Sequence, residues 1–381
     1  MKSRIHPNYK ARYRVGHWPE YDKALVQRGD LTLWISEEAI AAWVPEPSGK
    51  RGGQPKYSDL AIETALVLRL VFHLPLRQTE GFPRSVVNGG RKVQRGDITI
   101  WISEEALAAW APKITGRRGG QPKYSDLAIE TALVLRLIYH LPLRQTEGFV
   151  RSVLRLMEFD LEAPDHTTLS RRGRHLSIEL RPPGSRRGRH LIVDTTGLSI
   201  VGEGEWAAAK HVGKGVRGWK KLHLCVDEHG AIVAEELTSS SVDDAGRVPE
   251  LLGQIDGRIN RFVADGAYDE RPVHEAGRVK GAVVVVPPSR TAVRAQQRSA
   301  PHPARDRVIA HVRRVGLRQW KKERGWHQQA RAENAVFRYK RIIGPSLRAR
   351  DPEGREVEAR LVCSILNRMT EMGRPASYAV R

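Results

Sequence analysis

The chain has 381 residues and carries 64 Lys and Arg against 43 Asp and Glu, a formal net charge of +21. Forty per cent hydrophobic residues are enough for packed cores, so a wholly disordered basic chain is excluded, and the charge excess points to a polyanionic partner. Two cysteines, Cys225 and Cys363, are too few for a disulfide scaffold or a cysteine-rich zinc site, and the chain reads as intracellular.

The apolar runs, such as 65–76 and 281–288, are broken or short of the roughly 20 residues a membrane span needs. The N-terminus has basic residues but no apolar stretch behind them, so no export signal is expected. The expected location is the cytoplasm.

A direct repeat dominates the first half. Val26 to Phe82 recurs as Val93 to Phe149 at an offset of 67, with 47 of 57 positions identical. Each copy has a Gly/Pro/basic linker, a Ser-Asp helix start (Ser58-Asp59 and Ser125-Asp126) and an apolar helical run ended by Pro75 or Pro142. Phe149 continues into Val150 to Met157, an amphipathic helix, whereas Phe82 meets Pro83 and then Asn88-Gly89-Gly90. The second copy therefore keeps its packing partner, and the helix of the first is expected to expose an apolar face. We read the repeat as an internal duplication.

Residues 163–172 place Asp and Thr cap candidates before a short basic helix, an order compatible with a helix-turn-helix or with a capped helix in a bundle. From Arg189 the period changes. Three strands, a helix, a strand, a helix and a strand follow in order through Val286, a mixed α/β unit. Domains are expected at 1–92, 93–185 and 186–381. From Arg290 to Arg350 there are 17 Lys and Arg against 3 Asp and Glu, so about two-thirds of the net charge sits in this segment, the footprint of a phosphate-backbone surface.

Three carboxylates stand out by context. Asp194 follows Leu191-Ile192-Val193 and Asp265 follows Phe262-Val263-Ala264, so each is expected at the end of an apolar strand; Glu333 opens a helix in the most basic part of the chain. Grouped together, three ionised carboxylates repel unless cations neutralise them. Oxygen-only ligation suits Mg²⁺, and two such ions support in-line displacement at a phosphodiester. Asp227, between two strands in Asp227-Glu228-His229-Gly230, reads instead as a hairpin turn. His190, His211 and His223 form no ligand spacing, and Gly202-x-Gly204 lacks a third glycine.

The stretches Val193-Asp194-Thr195-Thr196-Gly197 and Ala264-Asp265-Gly266-Ala267-Tyr268-Asp269, with the helix Glu333-x6-Lys340, resemble the signatures of bacterial insertion-sequence transposases of the DDE class, in particular the IS-five-like branch. The resemblance runs over nearly the whole chain. It implies a ribonuclease-H-like mixed-sheet catalytic domain behind a helical DNA-binding domain compatible with a helix-turn-helix. It also implies that Asp194, Asp265 and Glu333 are the catalytic, metal-binding triad for two Mg²⁺, with Mn²⁺ as a substitute. Lys340 matches the basic residue that contacts DNA near the cut end. Arg338, Lys221, Arg171, Arg172 and Trp326 join it as candidate DNA contacts.

The expected partners are double-stranded DNA, both the element's terminal inverted repeats and target DNA, and further copies of the chain in a dimer or higher assembly. The expected activity is hydrolysis at the element's 3′ ends and strand transfer of the freed 3′-hydroxyl; the alternative is an inactive relic that binds the ends as a repressor. The family's Tyr-x2-Arg-x3-Glu-x6-Lys reads here Trp326-x2-Gln329-x3-Glu333-x6-Lys340. The change keeps an aromatic face for stacking and removes the charge that Arg would place beside a phosphate, leaving Arg331 as the nearest cation to stand in.

Overall fold

The computed structural model describes residues 18–27, 41–45, 55–74, 79, 102, 104–112, 121–180, 188–201, 219–289, 291–292 and 303–371. Trp206, His211 and the Gly202-x-Gly204 stretch lie outside the described residues. The chain divides into two compact units, Met1–Arg171 and Arg172–Arg381. The division falls ahead of the expected boundary at 185/186 because the turn Gly173–His175 and the buried Leu176 and Ile178 belong with the second unit. Among the described residues, no helix is long and apolar enough to cross a membrane.

The first unit is helical: α1 (Trp18–Gln27), α2 (Asp59–Val71), α3 (Glu104–Ala108), α4 (Asp126–Ile138), α5 (Leu143–Leu156) and α6 (His166–Arg172). The two repeat copies build their central helix by the same devices. Ser58 and Ser125 each accept a hydrogen bond from the amide three residues on, at 3.1 Å, satisfying one of the donors a helix start leaves free. Each helix ends on a histidine in the left-handed region, His73 (φ 53°) and His140 (φ 54°). The amides of Leu74 and Leu141 then return to the carbonyls of Arg69 and Arg136 at 2.9 Å, a Schellman closure ahead of the proline.

Burial separates the copies. Ile129, Leu133 and Leu137 of α4 are 0, 8 and 2% exposed, whereas the same stripe on α2, Ile62, Leu66 and Leu70, is 50, 44 and 68% exposed. The second copy packs α4 on α5, and α1 lies against α5 so closely that a Cβ at Gly148 would run into the Val26 carbonyl. The copies touch at matching positions. Phe72 meets Tyr139 with ring centroids 6.2 Å apart, His73 meets His140 at 5.7 Å, and Phe149 completes the aromatic cluster at 5.3 and 5.0 Å from the first two rings. Asp165 caps α6, accepting from the amides of Thr167 and Thr168 at 2.9 and 2.8 Å, and these bonds hold its carboxyl well below the usual range despite partial burial.

The second unit is mixed α/β, in the element order expected from the period. Its strands are β1 (Arg189–Ile200), β2 (Trp219–Val226), β3 (Ile232–Ser239), β4 (Ile259–Val263), β5 (Val283–Val285) and β6 (Ser346–Leu347), and its helices are α7 (Val248–Gly253), α8 (Arg271–Val279), α9 (Pro303–Val315), α10 (Leu317–Glu323), α11 (Ala330–Ile342) and α12 (Pro352–Glu371). The six strands form one sheet in the order β3-β2-β1-β4-β5, with β6 pairing the far end of β1. The pairs β1–β2 and β2–β3 are antiparallel; β1–β4, β4–β5 and β1–β6 are parallel.

The apolar residues of the strands sort by parity. Leu191, Val193 and Cys225 join α7 and α8 in one core with Leu251, Phe262 and Val273, while α11 lies on β1 and β2 and α12 on β3. The sheet is thus covered by helices on both faces.

Asp227 sits in the β2–β3 hairpin, accepting from the amides of His229 and Ala231 at 2.8 and 2.9 Å, which is the turn role its sequence context implies.

Candidate active site

The site begins with strand register. In the parallel pair β1–β4 the last partners are Ile192 and Val263. Two residues further along each chain come Asp194 and Asp265, so the pairing sets the two carboxylates at the same level where the strands part. Asp194 does not end its strand as expected. β1 continues to Ile200 because β2 keeps pairing it, Asp194 standing opposite Leu224. What ends beside Asp194 is the pairing with β4, and the fork this opens is the physical feature the sequence left invisible.

Glu333 lies in the first turn of α11, the helix packed on β1 and β2. Alternation puts Asp194 on the sheet face opposite to that of Leu191 and Val193, which is the face α11 covers. The Asp194 carboxyl is pushed up to about 6, first by burial and then by the negative charges of Asp265, Glu333 and Asp244; the Thr195 amide at 2.8 Å opposes the shift only in part. The three carboxylates expected to act together are close enough for the charges of Asp265 and Glu333 to act on Asp194.

The donor set is oxygen only and anionic, which fits a hard divalent cation. Among the described residues no three His, Cys, Asp or Glu side chains stand close enough to hold a metal ion. Asp265 turns its carboxylate to cap its own loop, accepting from the Ala267 amide at 2.8 Å, and Asp194 accepts from Thr195.

Trp326 and Gln329 occupy the turn Trp326–Gln329 that leads into α11. The Trp326 indole N–H donates to the Ala264 carbonyl at 2.9 Å, and the Gln329 Nε2 donates to the Val193 carbonyl at 3.0 Å. Gln329 is 3% exposed, and its amide is turned into the unit rather than to the surface. Nor is the Trp326 ring a bare stacking face, because Lys321 Nζ lies 3.7 Å from its centroid.

Several residues that sequence reasoning passed over connect the carboxylate-bearing segments. The Thr195 hydroxyl bonds the Tyr268 hydroxyl at 2.7 Å and His223 Nδ1 at 2.9 Å, and His223 Nε2 bonds Thr238 at 2.8 Å. Burial lowers the fully buried His223 from its ordinary value, which favours the neutral ring. Asp269 receives Arg305 Nε and Nη2 at 2.8 and 2.7 Å, His274 at 3.2 Å and the Ser289 amide at 2.9 Å. It ties the basic helix α9 to the loop carrying Asp265. The only trace of these roles in the sequence is adjacency: Thr195 follows Asp194, and Tyr268 and Asp269 follow Asp265.

The remaining DNA-contact candidates divide. Lys340 is half-buried on α11, seven residues and about two turns from Glu333. Arg171 is exposed at the end of α6, with Arg172 half-buried beside it. Lys221 is engaged by Asp244 and the Val242 carbonyl, both at 2.8 Å, and Arg338 by Thr370 at 2.7 Å and the Leu366 carbonyl at 3.1 Å. The charged heads of these two already have partners within the unit. Arg331 is exposed two residues ahead of Glu333.

A family model described as a transposase DDE domain matches residues 185–368, the segment that holds all three carboxylates. A second model with the same description matches residues 26–89 and 93–203. The chain belongs to the DDE-class transposases. It is therefore a DNA-cleaving and strand-transferring enzyme of a class that generally uses divalent metal ions. The two segments of the second match start at Val26 and Val93, the first residues of the two repeat copies. Among solved structures, a piggyBac transposase synaptic complex with hairpin DNA is 9% identical at a TM-score of 0.31, over 92% of this chain and 74% of that one.

Proposed function

We propose that this DDE transposase, of the IS-five-like branch, binds the terminal inverted repeats of its element, hydrolyses the phosphodiester at each 3′ end and joins the freed 3′-hydroxyl to target DNA. The observation that carries the reading is the parallel register of β1 and β4, which sets Asp194 and Asp265 side by side beneath the helix of Glu333. The strand order β3-β2-β1-β4-β5, antiparallel then parallel, supports a ribonuclease-H-like catalytic domain, and the Asp165-capped basic helix supports a helix-turn-helix reading of the first unit.

Asp194, Asp265 and Glu333 would hold two Mg²⁺, which supply charge neutralisation at the attacking and leaving oxygens. The protein's part is to fix the three carboxylates and grip the DNA. Exposed Arg313, Arg314, Arg318 and Lys322 of α9 and α10, with Lys340, supply the backbone contacts. Hydrolysis adds water across one P–O bond and leaves a 3′-hydroxyl and a 5′-phosphate. Strand transfer exchanges one phosphodiester for another and needs no external energy source.

The test is cleavage of a labelled duplex carrying the element's own end, with Mg²⁺, by wild type and by Asp265→Asn. Wild type is expected to cut, and Asp265→Asn to bind the duplex while cutting about 10³-fold more slowly, because it loses a ligand to the cations that would neutralise the transition state. Cutting by the variant at the wild-type rate would sink the triad. The second reading, an inactive relic that represses by occupying the ends, is favoured by Gln329 standing where the resembling signature has Arg, and predicts that both proteins bind and neither cuts.

A further inference from the structure

We propose that Trp326 and Gln329 are positioning residues that together set the distance of Glu333 from Asp194 and Asp265. The inference rests on the transposase reading of the three carboxylates and deepens it. Past Ile192 and Val263 the strands β1 and β4 separate, and each has a carbonyl immediately before its aspartate, Val193 O and Ala264 O. The turn Trp326–Gln329 enters the fork and touches both strands. Its two side chains take those two carbonyls, Gln329 the one before Asp194 and Trp326 the one before Asp265, at 3.0 and 2.9 Å.

The turn runs directly into α11, so Glu333 is four residues from Gln329 on a rigid helix. One short element thus refers all three carboxylates to a single frame. A buried hydrogen bond of this kind has little freedom, and its loss leaves a carbonyl unpaired where β1 and β4 are no longer paired to each other. Gln329 is buried and held through its Nε2, its Oε1 having no partner among the described residues, and Trp326 is clamped by Lys321 over its ring. The residues that replace Tyr and Arg of the resembling signature therefore act on the protein's own backbone.

The experiment uses the full chain and Mn²⁺ as the probe, with affinity measured by electron paramagnetic resonance and with apo melting recorded in parallel. The variants are Asp194→Asn, Trp326→Phe, Gln329→Leu and Trp320→Phe. Trp326→Phe keeps a ring beneath Lys321 and removes only the N–H; Gln329→Leu keeps the volume and removes the donor. Trp320→Phe is the control, since Trp320 is fully buried and, among the described residues, its indole N–H has no partner.

The expected result is about tenfold weaker Mn²⁺ binding for Trp326→Phe and for Gln329→Leu, the range seen when groups that orient metal ligands are removed. Trp320→Phe should bind as wild type does, and Asp194→Asn should lose binding. Wild-type affinity in both positioning variants, with binding lost only in Asp194→Asn, would overturn the inference and leave the transposase reading standing. Equal weakening in Trp320→Phe would also overturn it, as general loosening. Equal binding by Asp194→Asn and wild type would remove the cation reading of the site and this inference with it.

Discussion

Asp194 shows how the site opposes the fold that holds it. Its carboxyl is pushed up to about 6 from an ordinary value of 3.8, so the folded chain binds the proton more tightly than the unfolded one. By linkage the stabilisation is fully present below about pH 4 and is lost as pH rises through about 6. At pH 7.5 without divalent cations the ionised group works against folding, by about 1 kcal/mol once solvent screening of a half-buried group is allowed for. Asp194→Asn should therefore raise the apo melting midpoint by roughly 2–4 °C at pH 7.5 and leave it nearly unchanged at pH 4.5. Calorimetry at the two pH values checks this, and an equal gain at both would refute it. At this scale Asp194 and Asp265 stood out in the sequence because an apolar triplet precedes each. Trp326, Gln329, Thr195 and Asp269 did not, because each acts on a group far away in the chain.

At the scale of elements, α2 and α4 are a natural pair. They share the sequence from Asp59 to Leu70 and from Asp126 to Leu137, the same serine cap and the same histidine terminus, so local interactions alone make both helices. Their burial differs because α5 covers α4, while Pro83 stands in the first copy where α5 has Val150. Leu133→Ala should destabilise the protein by about 2–4 kcal/mol and Leu66→Ala by less than about 0.5 kcal/mol, although the flanking sequences match. Thermal melts of the two variants decide it, and equal losses would mean that the stripe of α2 is covered in solution. The exposed stripe also favours self-association, so Ile62→Glu with Leu70→Glu should lower the light-scattering mass at high concentration relative to wild type.

For the whole molecule the governing quantity is charge. Of the 17 Lys and Arg between Arg290 and Arg350, 11 lie on α9, α10 and α11, and the Arg305–Asp269 pair anchors the first of these to the loop of Asp265. DNA affinity should fall steeply with salt, and replacing Arg313, Arg314 and Arg318 together by Ala should flatten the plot of log affinity against log salt by roughly three units. Fluorescence anisotropy across a salt series measures the slope, and an unchanged slope would place the DNA elsewhere.

The sequence by itself determined the elements, because caps, prolines and apolar period act over a few residues. It determined that the second repeat copy keeps its packing partner, and it put Asp194, Asp265 and Glu333 in contexts that stand out. Tertiary structure alone decided where β1 and β4 part, which basic side chains are engaged within the second unit and what Trp326 and Gln329 hold. Those outcomes depend on strand register and on hydrogen bonds between residues more than sixty positions apart, and no local pattern specifies either.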